Sequence, residues 1–146
     1  MEMQVSNDGI DPKLFEHVVD MMGRAPVYQN LGIKLSRLGK GTCELKMQVD
    51  EKHCIAEGQI HGGMYLTLSD AAMGLAMQSL GIEGATVEMS SQFIYPVRQG
   101  QLIIARAQVV KSGKRVLFIE AEALSEEKLI FHCHGAFVNK GPLNIP

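Results

Sequence analysis

The chain has no surplus of charge of either sign: 14 Lys and Arg stand against 16 Asp and Glu, a formal net charge of −2. The basic residues are scattered, so nothing marks a nucleic-acid groove or a surface for acidic lipid. Cysteine is scarce as well. Cys43, Cys54 and Cys133 are odd in number and lack CxxC spacing, which argues against a disulfide framework and for a reducing compartment, the cytoplasm. The opening residues MEMQVSNDGI contain neither a cationic n-region nor an apolar h-region and so do not read as a secretory signal. Residues 1–10 read instead as a flexible N-terminus. No internal repeat or low-complexity tract divides the remainder, and with 46% of the 146 residues apolar, residues 11–146 suffice for a single domain with a real core.

One stretch is nearly devoid of charge. From Gly58 to Ile82 the only formally charged side chain is Asp70. The run has the length of a membrane span, but Asp70, His61 and the Gly62-Gly63 pair interrupt it, so it reads as a buried helix and no membrane partner is expected. Burying an unpaired carboxylate is costly. Such a group must find donors, shift its pKa, or be kept because chemistry uses it.

Around that run the pattern is mixed. Asp11-Pro12 opens a helix whose apolar stripe is Leu14, Phe15, Val18, Val19 and Met22, ending near Gly23. Ala25 to Asn30 reads as a turn, Gly32 to Val49 as a β-hairpin around Gly39-Lys40-Gly41, and His53 to Gln59 as a loop. His61-Gly62-Gly63 opens the long helix, which runs to Gln78 or Leu80 and is stopped by Gly81. Four extended segments follow in an expected meander: Ala85–Tyr95, Leu102–Lys111, Val116–Leu124 and Leu129–Val138. The fold class is therefore α+β with an antiparallel sheet. A helix apolar on every face must be covered all round, so the sheet has to curl around it and a second subunit covers the rest.

Two features of the long helix point to chemistry. Gly62 and Gly63 leave backbone N–H groups at the positive end of the helix dipole, suited to a carbonyl oxygen gaining negative charge, although glycine pairs also serve close packing alone. His61 before them either orients a substrate carbonyl or is structural. Asp70 lies eight residues beyond Gly62, ~12 Å along the axis at 1.5 Å per residue, so the two cannot touch one reacting carbon. If they share a site, a partner's antiparallel helix supplies one of them and a dimer is required. Met73 and Met77 either fill irregular gaps in the core or line an acyl pocket. In His132-Cys133-His134 a strand would turn the histidines to one side and the cysteine to the other. With no second cluster elsewhere, no metal site is assigned.

His61-Gly62-Gly63, followed nine positions after the histidine by Asp70, resembles the hotdog-fold acyl-CoA thioesterases, specifically the phenylacetate-pathway type. The likeness extends from about Leu31 to Lys140 and takes in Thr86-Val87-Glu88-Met89, Tyr95-Pro96 and Gly100. It implies a sheet wrapped around a long central helix, a homodimer with a continuous sheet, and commonly a homotetramer formed as a dimer of dimers. It further implies that Gly62 supplies the oxyanion N–H, that Asp70 of the partner is general base or nucleophile, and that Thr86 helps hold the attacking water. Thr86 is equally readable as a β-branched strand residue. Gly63, Met73 and Met77 would contact substrate, and Arg98 with the basic hairpin tip at Lys114 and Arg115 would hold coenzyme A phosphates, unless that tip is only a solvated turn. Coenzyme A is then part of the substrate and no cofactor is needed.

The sequence departs from the family at one place. Six residues before the histidine, where the family usually carries Asn, stands Ile55, which can orient neither water nor a carbonyl; adjacent His53 and Cys54 are possible substitutes if the loop register shifts. The alternative function is accordingly an acyl-CoA-binding sensor or scavenger of weak catalytic power. A hydratase would need an Asp/His or His/Glu pair to move a carbon-bound proton, and none stands at suitable spacing.

Overall fold

A computed structural model describes residues 4–146. Of the N-terminal segment expected to be flexible, residues 1–3 lie outside the described residues, whereas Ser6–Asp8 form a short strand, β1. Helix α1 spans Pro12–Arg24: the Asp11 side chain accepts from the N–H groups of Lys13 and Leu14 at 3.1 and 3.2 Å, with Pro12 in the first turn. It buries Val18 and Met22. The turn expected after it is a second helix, α2, Pro26–Leu31. Pro26 cannot continue α1 but suits a first helical turn, so the chain bends there and starts again until Gly32, at φ +68°, ends it.

Strands β2 (Ile33–Gly39) and β3 (Thr42–Gln48) form the expected hairpin. After two short 3₁₀ turns comes α3, Gly63–Gln78, then β4 (Ile82–Phe93), β5 (Leu102–Ser112), β6 (Val116–Ser125) and β7 (Lys128–Pro142). The order across the sheet is β1-β2-β3-β5-β6-β7-β4. All neighbours are antiparallel except β1 and β2. The last four strands are thus not a simple meander: β5, β6 and β7 follow one another, but β3 pairs with β5 while β4 lies beyond β7 as an edge. A sheet that curls around α3 has to bring β4 to its far margin, because α3 passes over the middle.

Helix α3 packs on β3, β4, β5 and β6. Close approach is possible because the central strands offer small side chains, with Ala105 opposite Ala123 and Ala107 opposite Ala121, all buried, beneath the fully buried Ser69, Ala72 and Ala76 of the helix. Ser79 Oγ accepts the Gly41 N–H at 2.8 Å and donates to the Ala76 carbonyl, tying the end of α3 to the β2–β3 turn. Within one protomer the sheet leaves one side of α3 uncovered, the side for which a second subunit was expected. Gly63, Thr67, Asp70, Gly74 and Gln78 form a half-exposed stripe at spacings of four and three residues. On the outer face of the sheet one polar cross-strand row runs Arg37, Glu44, Arg106, Glu122, His132, Gln92.

Candidate active site

The turn that begins α3 is built by His61. Its Nδ1 accepts the Gly63 N–H at 2.8 Å and its carbonyl accepts the Met64 N–H at 3.0 Å, while Gly62 O accepts from Tyr65. These bonds consume every donor of the first turn except one. The Gly62 N–H has no partner among the described residues. The ring of Phe93 lies against Gly62, 3.4 Å from where a Cβ would stand, and packs on Tyr65 and Phe131 with centroids 6.1 and 5.1 Å away. Tyr65 Oη donates to the Tyr95 carbonyl at 2.7 Å. An aromatic cluster therefore fixes the glycine turn to the far end of the edge strand β4.

Asp70 sits two helical turns later at the opposite end of β4. Thr86 Oγ1 donates to its Oδ1 at 2.6 Å. Asp70 is not buried, as its place in the apolar run suggested; it is half-exposed at a cleft of about 280 Å³ between α3, β4 and the α1–α2 segment. Met22, Tyr28, Leu75, Met77 and Phe137 line that cleft with Thr86. Tyr28 was not legible as a site residue, since only the packing of α2 brings it here. Burial, and then the Asp70 charge, push its phenol above the ordinary tyrosine value, so it stays a neutral donor.

The other sequence candidates divide between the two ends. Met77 lines the Asp70 cleft, whereas Met73 is fully buried with its sulfur 4.0 Å from Cys133 Sγ, a core position. Lys114 and Arg115 occupy the β5–β6 tip, and the register Leu117–Phe137–Thr86 places that tip at the Asp70 end of the sheet. Arg98 is at the Gly62 end, where its Nη2 donates to the Glu57 carbonyl at 2.5 Å. Seven residues of β4 separate the two ends, ~24 Å at 3.4 Å per residue, so the joint phosphate cradle of Arg98 with Lys114 and Arg115 does not form within one protomer. Ile55 is 51% exposed in the loop that Arg98 braces. His53 does not stand in for the missing Asn: its ring is buried, Nδ1 accepting the Asp50 N–H at 2.8 Å and Nε2 lying 2.7 Å from Leu31 O. Cys54 Sγ donates to the Asp50 carbonyl at 3.3 Å. His132 and His134 point outward and Cys133 inward. Among the described residues no helix is long and apolar enough to cross a membrane.

Comparison with known proteins bears on the fold and the family. Human acyl-coenzyme A thioesterase 13 is 36% identical over 86 residues, 58% of this chain. The chain spans about 60% of the length of the first curated relatives it matches. The Escherichia coli PaaI protein of the phenylacetic acid degradation operon superposes with a TM-score of 0.86 at 22% identity, covering 92% of this chain and 99% of that one, which shows the fold: the hotdog arrangement of sheet and helix. A Streptococcus pneumoniae protein described as a hypothetical thioesterase, whose structure was solved with coenzyme A, has the same fold, with a TM-score of 0.74 at 18% identity over 77% of this chain and 88% of that one. Residues 57–130, which hold the His61-Gly62-Gly63 turn, α3, Asp70 and the edge strand, match the family model of the thioesterase superfamily, and the chain belongs to that superfamily.

Proposed function

We propose that the protein hydrolyses an acyl-CoA thioester to the free acid and coenzyme A, in a site shared by two protomers. The Thr86–Asp70 hydrogen bond in a cleft that is also lined by Met22, Leu75, Met77 and Phe137 is the observation that carries this reading. Asp70 takes a proton from water as the oxygen attacks the thioester carbon, and the carbonyl oxygen becomes an oxyanion. Collapse of that intermediate breaks the C–S bond, and the proton held by Asp70 passes to the departing thiolate, so the carboxylate is regenerated. Thiolate is a good leaving group, and the barrier lies mainly in bringing water onto the carbonyl and stabilising the oxyanion. Attack by the Asp70 carboxylate itself, through an anhydride, uses the same geometry.

The oxyanion donor is the partner's Gly62 N–H. Within one protomer Gly62 is too far from Asp70, but β4 is an open edge flanked by exposed Val87, Phe93, Ile94 and Tyr95. Antiparallel pairing of two β4 edges about Met89 and Ser90 sets Thr86 level with the partner's Phe93, hence Asp70 near the partner's Gly62. The same two-fold brings the partner's Arg98 to the end that carries Lys114 and Arg115, restoring a three-cation cradle for the phosphates. A cleft of about 280 Å³ suits a medium-chain or aromatic acyl group. Ile55 favours one second reading, an acyl-CoA-binding protein without turnover, because no amide stands there to orient water. Thiol release from a panel of acyl-CoA substrates separates the two. Loss of turnover by two to three orders of magnitude in Asp70→Asn, roughly the scale of a catalytic acid/base, supports hydrolysis, and binding without thiol release by the wild type supports the second reading.

A further inference from the structure

We propose that Gly74, together with the α1–α2 segment, sets the length of acyl group this site accepts; the inference rests on the acyl-CoA reading above. Gly74 lies one turn beyond Asp70 on the same half-exposed stripe of α3 and lines the same cleft. A glycine inside a helix is destabilising by ~1 kcal/mol relative to alanine, so its presence calls for a local reason. Close packing inside the protomer is not that reason: a Cβ on Gly74 would have no heavy atom of its own chain within 4 Å. Backbone conformation is not the reason either, because Gly74 has the ordinary helical form of its neighbours. Gly84, on the facing strand, makes the contrast plain, since a Cβ there would collide with the Val138 carbonyl and Met77. What Gly74 leaves within its own protomer is open space, in the cleft that Asp70 also lines.

The cleft is chemically fitted to an acyl chain rather than to pantetheine. Met22, Leu75, Met77 and Phe137, each less than 10% exposed, form the apolar part of the wall, and an amide of pantetheine laid against that part would lose hydrogen bonds at a cost of ~1–3 kcal/mol. With about 280 Å³ and ~30 Å³ per water-sized group, the space holds about nine non-hydrogen atoms. An octanoyl or phenylacetyl group, carbonyl oxygen included, has that number. The wall opposite Gly74 comes from Met21, Met22, Ala25 and Tyr28, on the two helices that precede the region matching the superfamily. Selectivity is thereby placed on a segment separate from the glycine turn and the acid.

The test uses the full chain as wild type, Gly74→Ala, Gly74→Leu and Met22→Ala. It measures kcat/KM for acetyl-, butyryl-, hexanoyl-, octanoyl-, decanoyl- and phenylacetyl-CoA, and Kd for the matching non-hydrolysable acyl-CoA thioethers. Gly74→Leu is expected to lower the octanoyl-to-acetyl ratio about tenfold or more, the scale of discrimination that one or two methylenes provide in an apolar pocket. Gly74→Ala, which favours the helix, lowers it in the same direction but less. Met22→Ala raises the decanoyl-to-octanoyl ratio. Equal fold-changes on every chain length, in folded variants, overturn the inference. A wild type that binds the thioethers but releases no thiol overturns hydrolysis instead, and the same length ratios, read in Kd, still decide the role of Gly74.

Discussion

Thr86 on the edge strand donates a 2.6 Å hydrogen bond to Oδ1 of Asp70 on the central helix, across sixteen residues of sequence. That bond joins the two elements that the site needs and fixes which oxygen of Asp70 remains for water. Thr86→Val keeps the shape and removes the donor. It is expected to lower kcat about ten- to a hundredfold with little change in KM, whereas Thr86→Ser restores most of the loss. Steady-state kinetics of the three proteins on one substrate check this, and an unchanged kcat in Thr86→Val contradicts it.

Two of the three thiols are sealed in the core. Burial pushes the Cys133 thiol up to about 11 and Cys43 well above the ordinary range, while Cys54 is half-exposed. Alkylation of the native protein at pH 8 is expected to modify Cys54 alone, and all three after denaturation. Mass spectrometry of the labelled peptides reads the outcome. Rapid native labelling of Cys133 would mean that α3 lifts from the sheet.

On the outer face, burial alone would raise the Glu44 carboxyl, but hydrogen bonds from Ser36 and from Arg106, 3.0 Å away, outweigh it and hold it below the ordinary value of 4.5. A depressed carboxylate adds stability that is present above the unfolded pKa and is lost as pH falls through the folded one. Thermal unfolding of the wild type should therefore weaken below pH 4.5 more steeply than that of Arg106→Gln. Parallel pH curves for the two proteins would remove the pair from the account.

The alanine patch beneath α3 leaves no room for larger side chains. Ala121→Leu is expected to destabilise the protein by about 1–3 kcal/mol through overpacking, seen in the denaturant midpoint, whereas Ala136→Leu, half-exposed on the opposite face of the sheet, should cost far less. Equal costs would mean that the helix does not sit as closely on β5 and β6 as described.

The long helix, the hairpin and the four late strands were legible because each is written in local pattern: an uncharged run opened by His61-Gly62-Gly63, and alternating segments broken at glycine, proline or polar turns. The order of the strands was not, since β4 reaches β7 only by passing around α3, and nothing local to Ile82–Phe93 records it. Helix α2 was missed because its six residues carry no side-chain cap after Ala25. In the candidate site, Asp70, Gly62 and Thr86 were named from spacing and resemblance, and the structure sets Thr86 against Asp70; the ~12 Å between glycine and acid led to the expectation of a partner. Tyr28 and Gly74 were not found, because their role depends on a cleft between distant segments. His53 does not replace the absent Asn for a similar reason: both of its ring nitrogens are engaged by backbone groups that the sequence does not place beside it.

The shared site is tested most directly by mixing two inactive proteins. Gly62 has φ −56°, which proline can adopt, so Gly62→Pro deletes the N–H at little conformational cost and should lower turnover by about 10²–10³, as loss of one oxyanion donor does. Asp70→Asn deletes the acid. After subunit exchange, a mixed dimer of the two carries one site with both defects and one with neither. The equimolar mixture should then recover about a quarter of wild-type thiol release, from one intact site in half of the dimers. If exchange is demonstrated and no activity returns, Gly62 and Asp70 do not meet across two protomers, and the proposed mechanism is wrong.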